Sequence, residues 1–391
     1  MFFNIILLGI VSFLNDVSTE LIAPILPMFL TSLGAGSLAV GLIGGLRDSI
    51  ASVLKVFTGV WSDRLGKSKI FVGSGYFTSS VFRLLLPFSR IWPNALVLIS
   101  GERIGKGLRT APRDAIIADS MPQCRGKGFG IHRTLDTLGA ILGSAICFIL
   151  FWARGLEFKE TILIAAILGF LALIPLFWVK EKRRLPQKIT IKIGLKELPK
   201  EARVFIRIAS IFALSNFSYM FFILKASEAF QSPIPDSFRV GAAFASTKLA
   251  IGVPILLYIL FNIFYALGAI PFGVLSDRIG KKRVIGIGYF LFVLTCIGFA
   301  FANSLGAFTI LFALYGLVYA AVDGNQRALI SELAPGNLKA TALGAFHTSI
   351  GLVALLSSLL AGGLWQISPS LTFGFGGAVS FISAISLLTF R

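Results

Sequence analysis

The sequence predicts an all-α membrane protein of twelve transmembrane helices, arranged as two six-helix bundles related by pseudo-twofold symmetry. Three observations predict it. Hydrophobic residues make up 56% of the 391 positions and charged residues 14%, where a soluble domain has roughly a quarter of its residues charged. The chain divides into twelve apolar segments, each long enough to cross a bilayer. Finally, GVWSDRLGKSK at 59–69 returns as GVLSDRIGKKR at 273–283, identical at seven of eleven positions and 214 residues further on. Self-similarity at that distance marks two similar halves.

The segments follow in order. The first, 5–31, has no cleavage-site pattern and is too long for a signal peptide, so it reads as a span. Ser12, Asp16 and Glu20 recur on it every four residues and share one face. The second, 38–61, carries Arg47, Asp48 and Lys55 and ends in the repeated loop; 69–88 is the third. The fourth, 93–117, places Glu102, Arg103, Lys106, Arg109 and Arg113 within about a third of a turn, with Asp114 just beyond. Such a stripe cannot face lipid. The fifth, 128–152, holds His132, Arg133 and Asp136, then Gly139 and Gly143 at the four-residue spacing that permits close helix packing. The sixth runs over 161–179.

Residues 180–204 form a basic linker containing Pro186 and Pro199, read as a solvated tether with a possible amphipathic surface segment. The division is therefore 1–179, 180–204 and 205–391. Spans 205–229, 250–275, 284–302, 306–331, 339–363 and 370–390 follow, with fewer charges: Lys225 and Glu228, Asp323 and Arg327, and His347. The duplication continues beyond the loop. RDAIIAD at 113–119 parallels QRALISE at 326–332, and Gly130, Arg133 and Thr134 parallel Gly344, His347 and Thr348.

The net charge of +18 is a topology signal rather than a nucleic-acid one. With the N-terminus inside, the outer links hold only Arg90, Arg154, Lys159, Arg239 and Lys248, while the inner links hold most of the 36 Lys and Arg. This asymmetry puts both termini in the cytoplasm of a multi-pass protein of the cell membrane, with a secondary role for the cations at anionic headgroups. Cys124, Cys147 and Cys296 show no metal-ligand spacing and no disulfide framework. No nucleophile–base pair, metal cluster or nucleotide loop is apparent, so the chain reads as neither an enzyme nor an ATP-driven pump, and no cofactor is expected.

The loop Gly59-x-x-x-Asp63-Arg64-x-Gly66-Lys67 and its counterpart Gly273-x-x-x-Asp277-Arg278-x-Gly280-Lys281 resemble the signature loops of the major facilitator superfamily. The resemblance covers the whole chain and lies nearest uncharacterised archaeal and bacterial members grouped near drug and siderophore exporters. It implies the major facilitator fold, alternating access, and a coupling role for Arg103, which precedes Lys106 and Gly107 where relatives have Gln and Gly. The Gly-Pro of exporter fifth spans is missing here. Loop chemistry agrees without the family: Gly66 and Gly280 supply positive φ for a tight turn, and Asp63 and Asp277 suit helix-end N–H groups and an Arg partner. These residues, with Arg64 and Arg278, are read as a cytoplasmic gate, with Asp63 the more important aspartate.

An ionisable residue inside a span is a functional candidate. Asp16 and Glu20 are the leading proton or substrate groups, followed by Asp48 and Asp136; the competing reading pairs each carboxylate with a fixed cation. Arg47, Lys106, Arg109, Arg113, Arg133 and Arg327 are candidate cavity or gating cations, and the surplus of embedded cations leans towards an anionic or amphiphilic organic solute. The expected function is proton-coupled efflux of a small organic solute by a monomer whose partners are solute, protons and membrane lipids, with no nucleic acid. The alternatives are a proton-coupled importer of an organic anion and a non-transporting sensor or lipid-handling protein.

Overall fold

The computed structural model describes residues 2–121, 125–181, 198–230, 241–334 and 338–390, and every regular element among them is a helix. Most of the linker expected at 180–204 lies outside the described residues, and so does Cys124. The chain separates into two compact units, Met1–Ala35 with Leu46–Ile191, and Gly36–Gly45 with Lys192–Arg391.

The first unit contains six spans. Span one is α1 (Phe2–Ile22) followed by α2 (Leu26–Ser32). Pro24 and Pro27, which lack an N–H, account for the break between them. Span two is α3 (Ser37–Leu65), whose start belongs to the second unit. Span three is α4 (Ser68–Leu85), tightened into a 3₁₀ turn at Leu86–Phe88. Spans four and five are α5 (Trp92–Ser120) and α6 (Arg125–Trp152). Span six is α7 (Phe158–Leu171), started by a reciprocal Glu157–Glu160 capping box and ended by a 3₁₀ turn at Ile174–Trp178.

The second unit repeats the count. Span seven is α8 (Lys200–Ser215) and α9 (Met220–Ala229), separated by irregular backbone at Asn216–Tyr219. The remaining spans are α10 (Gly241–Ile279), α11 (Lys281–Phe301), α12 (Leu305–Leu333), α13 (Lys339–Ile367) and α14 (Pro369–Thr389). Each of the twelve sequence segments thus coincides with a helix or a broken helix. Ten spans are long and apolar enough to cross a membrane on length and composition. The other two, α4 and α5, contain Lys69 and Arg83 and the charged stripe, respectively.

Lipid is as apolar as leucine, so helices in it associate through close approach and polar contacts rather than by hydrophobic burial alone. In the first unit α1 packs on α6 and α7, and α4 on α5 and α7. Gly139 and Gly143 are both points of close approach between α1 and α6: a methyl group at Gly139 would lie 2.5 Å from the Phe13 carbonyl oxygen, and one at Gly143 closer still to that of Val17. The four-residue spacing of Gly139 and Gly143 permits close packing of this kind, without naming the partner helix. An apolar cluster that includes Leu8, Val11, Val72, Tyr76, Ile117 and Val179 ties α1, α4 and α5 together.

The second unit is held by aromatic stacking. Phe212 lies on Tyr289 with ring centroids 4.0 Å apart, and Phe222 on Tyr315 at 4.2 Å. These phenylalanines therefore serve as helix-interface residues. The broken backbone of span seven is anchored where the Ser218 N–H donates to Ser358 Oγ at 3.1 Å. Irregular backbone at membrane depth needs such protein partners.

Candidate functional site

The stripe predicted on α5 becomes a buried ionic cluster. Glu102 uses both carboxylate oxygens: Oε1 accepts from Arg83 Nη2 on α4 at 3.0 Å, and Oε2 lies 2.9 Å from Arg103 Nε. Arg83 also donates to Ser18 Oγ at 2.5 Å and to Thr19 Oγ1 at 2.9 Å, both on α1. Residue exposure is 2% for Arg83, 5% for Arg103 and 9% for Glu102. Arg109, 3% exposed, donates to Ser79 Oγ at 2.6 Å and sits over the Tyr76 ring, 4.4 Å from its centroid. A charge so enclosed is tolerated only with partners supplied by protein.

One turn further along α5, Arg113 donates from Nη1 to Ser12 Oγ at 3.1 Å and pairs with Asp114 at 3.1 Å. The Ser12 hydroxyl also bonds Tyr76 OH at 3.0 Å and His132 Nε2 at 2.8 Å. Four helices, α1, α4, α5 and α6, therefore meet at one serine.

Asp16 lies one turn beyond Ser12 on the same face of α1. Its Oδ1 accepts from Asn15 Nδ2 at 3.2 Å, and Asp136 on α6 is among the charged groups that act on it. Two neighbouring carboxylates disfavour being ionised together, since both are acceptors only and like charges repel. Asp136 is in turn paired with the exposed Arg133 at 3.0 Å. Both readings of Asp136 thus meet in one residue, a fixed ion pair on one side and a carboxyl pair on the other. Lys106 is among the charges that act on Asp16, and its side chain is exposed. Glu20, half-buried, is a further neighbouring charge. Arg47 is buried and among the cations that act on Glu102. Asp48 beside it is exposed and stands outside this network.

The two repeated loops share a turn and differ in their surroundings. Gly66 and Gly280 both have positive φ, +62° and +97°, as the tight-turn reading requires. Gly59 and Gly273 lie one to two turns before them, inside α3 and α10. At the first loop the free N–H groups at the start of α4 are taken by Glu181, which accepts from Ser68 N and, at 3.2 Å, from Lys69 N. Lys69 Nζ donates to Val179 O at 2.7 Å. Asp63 is half-buried, Arg64 exposed. At the second loop Asp277 is exposed and pairs with Lys281 at 3.4 Å; Lys281 also binds Glu332 at 2.7 Å. Arg278 is exposed.

In the second unit Asp323 accepts from Tyr265 OH at 2.9 Å and is bonded by Arg327. Tyr265 packs on Tyr319 with centroids 6.0 Å apart, and Asn216 in the break of span seven donates to Tyr319 OH at 3.4 Å. Among the described residues no group of three or more His, Cys, Asp or Glu is placed to hold a metal. Arg83 is the main residue that the sequence reading passed over. The signal was present, since an ionisable residue inside an apolar span is a functional candidate wherever it occurs. Glu181 and Asn216 left no comparable trace.

A sequence profile described as Major Facilitator Superfamily matches residues 8–259 and 229–391. The chain is 52% identical over 386 residues to an uncharacterised MFS-type transporter of Methanocaldococcus jannaschii, covering 98% of this chain and 94% of that one. It is 24% identical to a multi-drug resistance efflux pump of Streptococcus pneumoniae, covering 83% and 79%. A crystal structure of a nucleoside transporter carries the same fold, with a TM-score of 0.81, 13% identity and 99% of both chains covered. With that fold and that relative, the chain belongs to the major facilitator superfamily and is a multi-pass membrane transporter.

Proposed function

We propose that this transporter exports a small organic solute from the cell in exchange for protons, as a monomer with both termini in the cytoplasm. The carboxyl pair Asp16–Asp136 carries this reading. It lies in the charged unit beside the exposed Lys106 and joins two helices, α1 and α6, that pack along their length. A group that holds one proton between two carboxyls can release it when a cation approaches or the pair separates. Alternating access rocks one bundle against the other around a site near the midplane and supplies that separation. The Arg83–Glu102 pair holds α5 in register with α4, Arg109 and Arg113 tie it to Tyr76 and Ser12, and the aromatic second unit provides solute-facing surface around Tyr265, Tyr319 and Asp323. Asp63, Arg64, Asp277 and Arg278 act as the inner gate. The pneumococcal efflux pump among the relatives supports the outward direction.

A second reading, import of an organic anion with protons, draws support from the buried cations Arg47, Arg103 and Arg109. Everted membrane vesicles separate the two. With an imposed ΔpH reported by a fluorescent amine, a panel of amphiphilic cations, carboxylates, nucleosides and peptides is added in turn. Antiport predicts that at least one compound dissipates the gradient only in vesicles carrying the protein. Dissipation only when compound and protons are loaded on the same side establishes symport instead.

A further inference from the structure

Lys106 stands apart from the other charges of the α5 stripe. Arg109 and Arg113 hold protein hydroxyls, and Glu102 holds two guanidinium groups. Among the described residues the Lys106 ammonium makes no ion pair and no hydrogen bond, although the residue is exposed at the centre of α5. Its exposure is not towards lipid. At about 100° per residue Lys106 lies about 40° from Glu102 and about 20° from Arg113, but about 160° from Ile104, the exposed apolar residue of the same turn. An ammonium at that depth needs water or an anion beside it. The carboxylate that acts on it from α1 is Asp16, and the two are not joined.

The opposite pole gathers around Asp16. Glu20 and Asp136 add negative charge to its surroundings. Asn15, 3% exposed, donates from Nδ2 to Asp16 Oδ1 at 3.2 Å and keeps its own Oδ1 buried with no hydrogen-bond partner. A buried acceptor in that state costs stability until a donor reaches it. A cation without an acceptor thus stands beside an acceptor-rich group. The complementary ligand carries one pole of each kind: a carboxylate for Lys106, and an ammonium whose three N–H donors suit Asp16 and Asn15. We propose that the first unit binds a zwitterion, a free amino acid or a compound with the same adjacent ammonium and carboxylate, with its carboxylate on Lys106 and its ammonium on Asp16. The placement of the ammonium rests on the exchange reading of Asp16 and gives it a chemical basis. An arriving ammonium takes the place of the proton, so solute and proton compete for one carboxylate.

The test uses the purified full-length chain in detergent, near neutral pH, where both poles of the probe are charged. Three probes share one apolar body: phenylalanine, phenylethylamine with the ammonium alone, and 3-phenylpropanoate with the carboxylate alone. The same set is repeated with isobutyl and indolyl bodies, and the unfolding temperature is followed as each compound is titrated. In at least one set the zwitterion should give a saturable rise, ~3 °C at about a hundred times its Kd, and bind at least ~10-fold tighter than either single-pole probe. Lys106→Gln removes the preference for zwitterion over amine, and Lys106→Arg keeps it. Asp16→Asn still binds but no longer prefers the zwitterion over the acid. The wild-type comparison depends on no variant folding. Equal affinities for the zwitterion and a single-pole probe in every set overturn the proposal, as does the absence of any response, or a preference unchanged in Lys106→Gln. Proton exchange is read separately, in vesicles. Dissipation of ΔpH by other solutes with no response to zwitterions strikes the zwitterion site alone, whereas zwitterion binding without proton movement supports the site and strikes the exchange reading.

Discussion

Replacing Arg83 with methionine removes the most deeply buried cation of the α1–α4–α5 contact while keeping a similar volume. Three bonds are lost, to Ser18 at 2.5 Å, Thr19 at 2.9 Å and Glu102 at 3.0 Å. Breaking a buried ion pair by removing one partner costs about 3–5 kcal/mol, mostly because the other charge stays behind. Glu102 keeps Arg103 at 2.9 Å, which places the cost near the lower end, about 3 kcal/mol. At ~1 °C per kcal/mol for a chain of 391 residues, the unfolding temperature in detergent should fall by ~3–4 °C. The double variant Arg83→Met with Glu102→Gln removes the stranded charge and should recover ~1–2 kcal/mol of the loss, the coupling expected of contacting residues. A drop of less than ~1 °C for Arg83→Met, or strict additivity in the double variant, would refute the buried ion-pair reasoning.

Further expectations concern packing and the loops. Gly139→Val drives a branched side chain against the Phe13 carbonyl, which a methyl group already approaches to 2.5 Å; overpacking of this kind costs ~1–3 kcal/mol and should appear as reduced thermal stability, whereas an unchanged value means that α1 and α6 are not in close contact. Asp63→Asn should lower solute flux at least ~10-fold at unchanged expression, equivalent to ~1.4 kcal/mol on the conformational equilibrium. Asp277→Asn, at an exposed aspartate whose partner Lys281 keeps Glu332, should change flux by less than ~3-fold, because surface pairs contribute only ~0–1 kcal/mol. Equal losses in the two variants would contradict the assigned asymmetry.

Much of the architecture was legible because membranes constrain sequence strongly. Each span had to be a long apolar helix, so segment length and the repeated loop were enough to count spans and halves. Gly66 and Gly280 were legible because tight turns need positive φ. The stripe on α5 was legible because helical periodicity places residues 102 to 113 on one face. The partners were not. Periodicity gives the face of a helix and leaves its rotation and register against neighbours undetermined, so nothing in the sequence joined Glu102 to Arg83 or Asp16 to Asp136. The break at Asn216–Tyr219 was hidden for a related reason: it contains no proline or glycine, and it is held by Ser358 from a distant span. Glu181 illustrates the same limit at the first loop, where the cap of α4 comes from residues beyond span six rather than from the loop itself.

The carboxyl pair is the point on which the proton-exchange reading stands or falls. Its most direct test is solute-induced proton movement in everted vesicles carrying wild type, Asp16→Asn or Asp136→Asn, with solute binding followed in parallel by thermal shift. Solute should dissipate ΔpH through the wild type, while Asp16→Asn binds solute and moves no protons. Wild-type proton movement through Asp16→Asn would contradict the assignment of the proton to this pair.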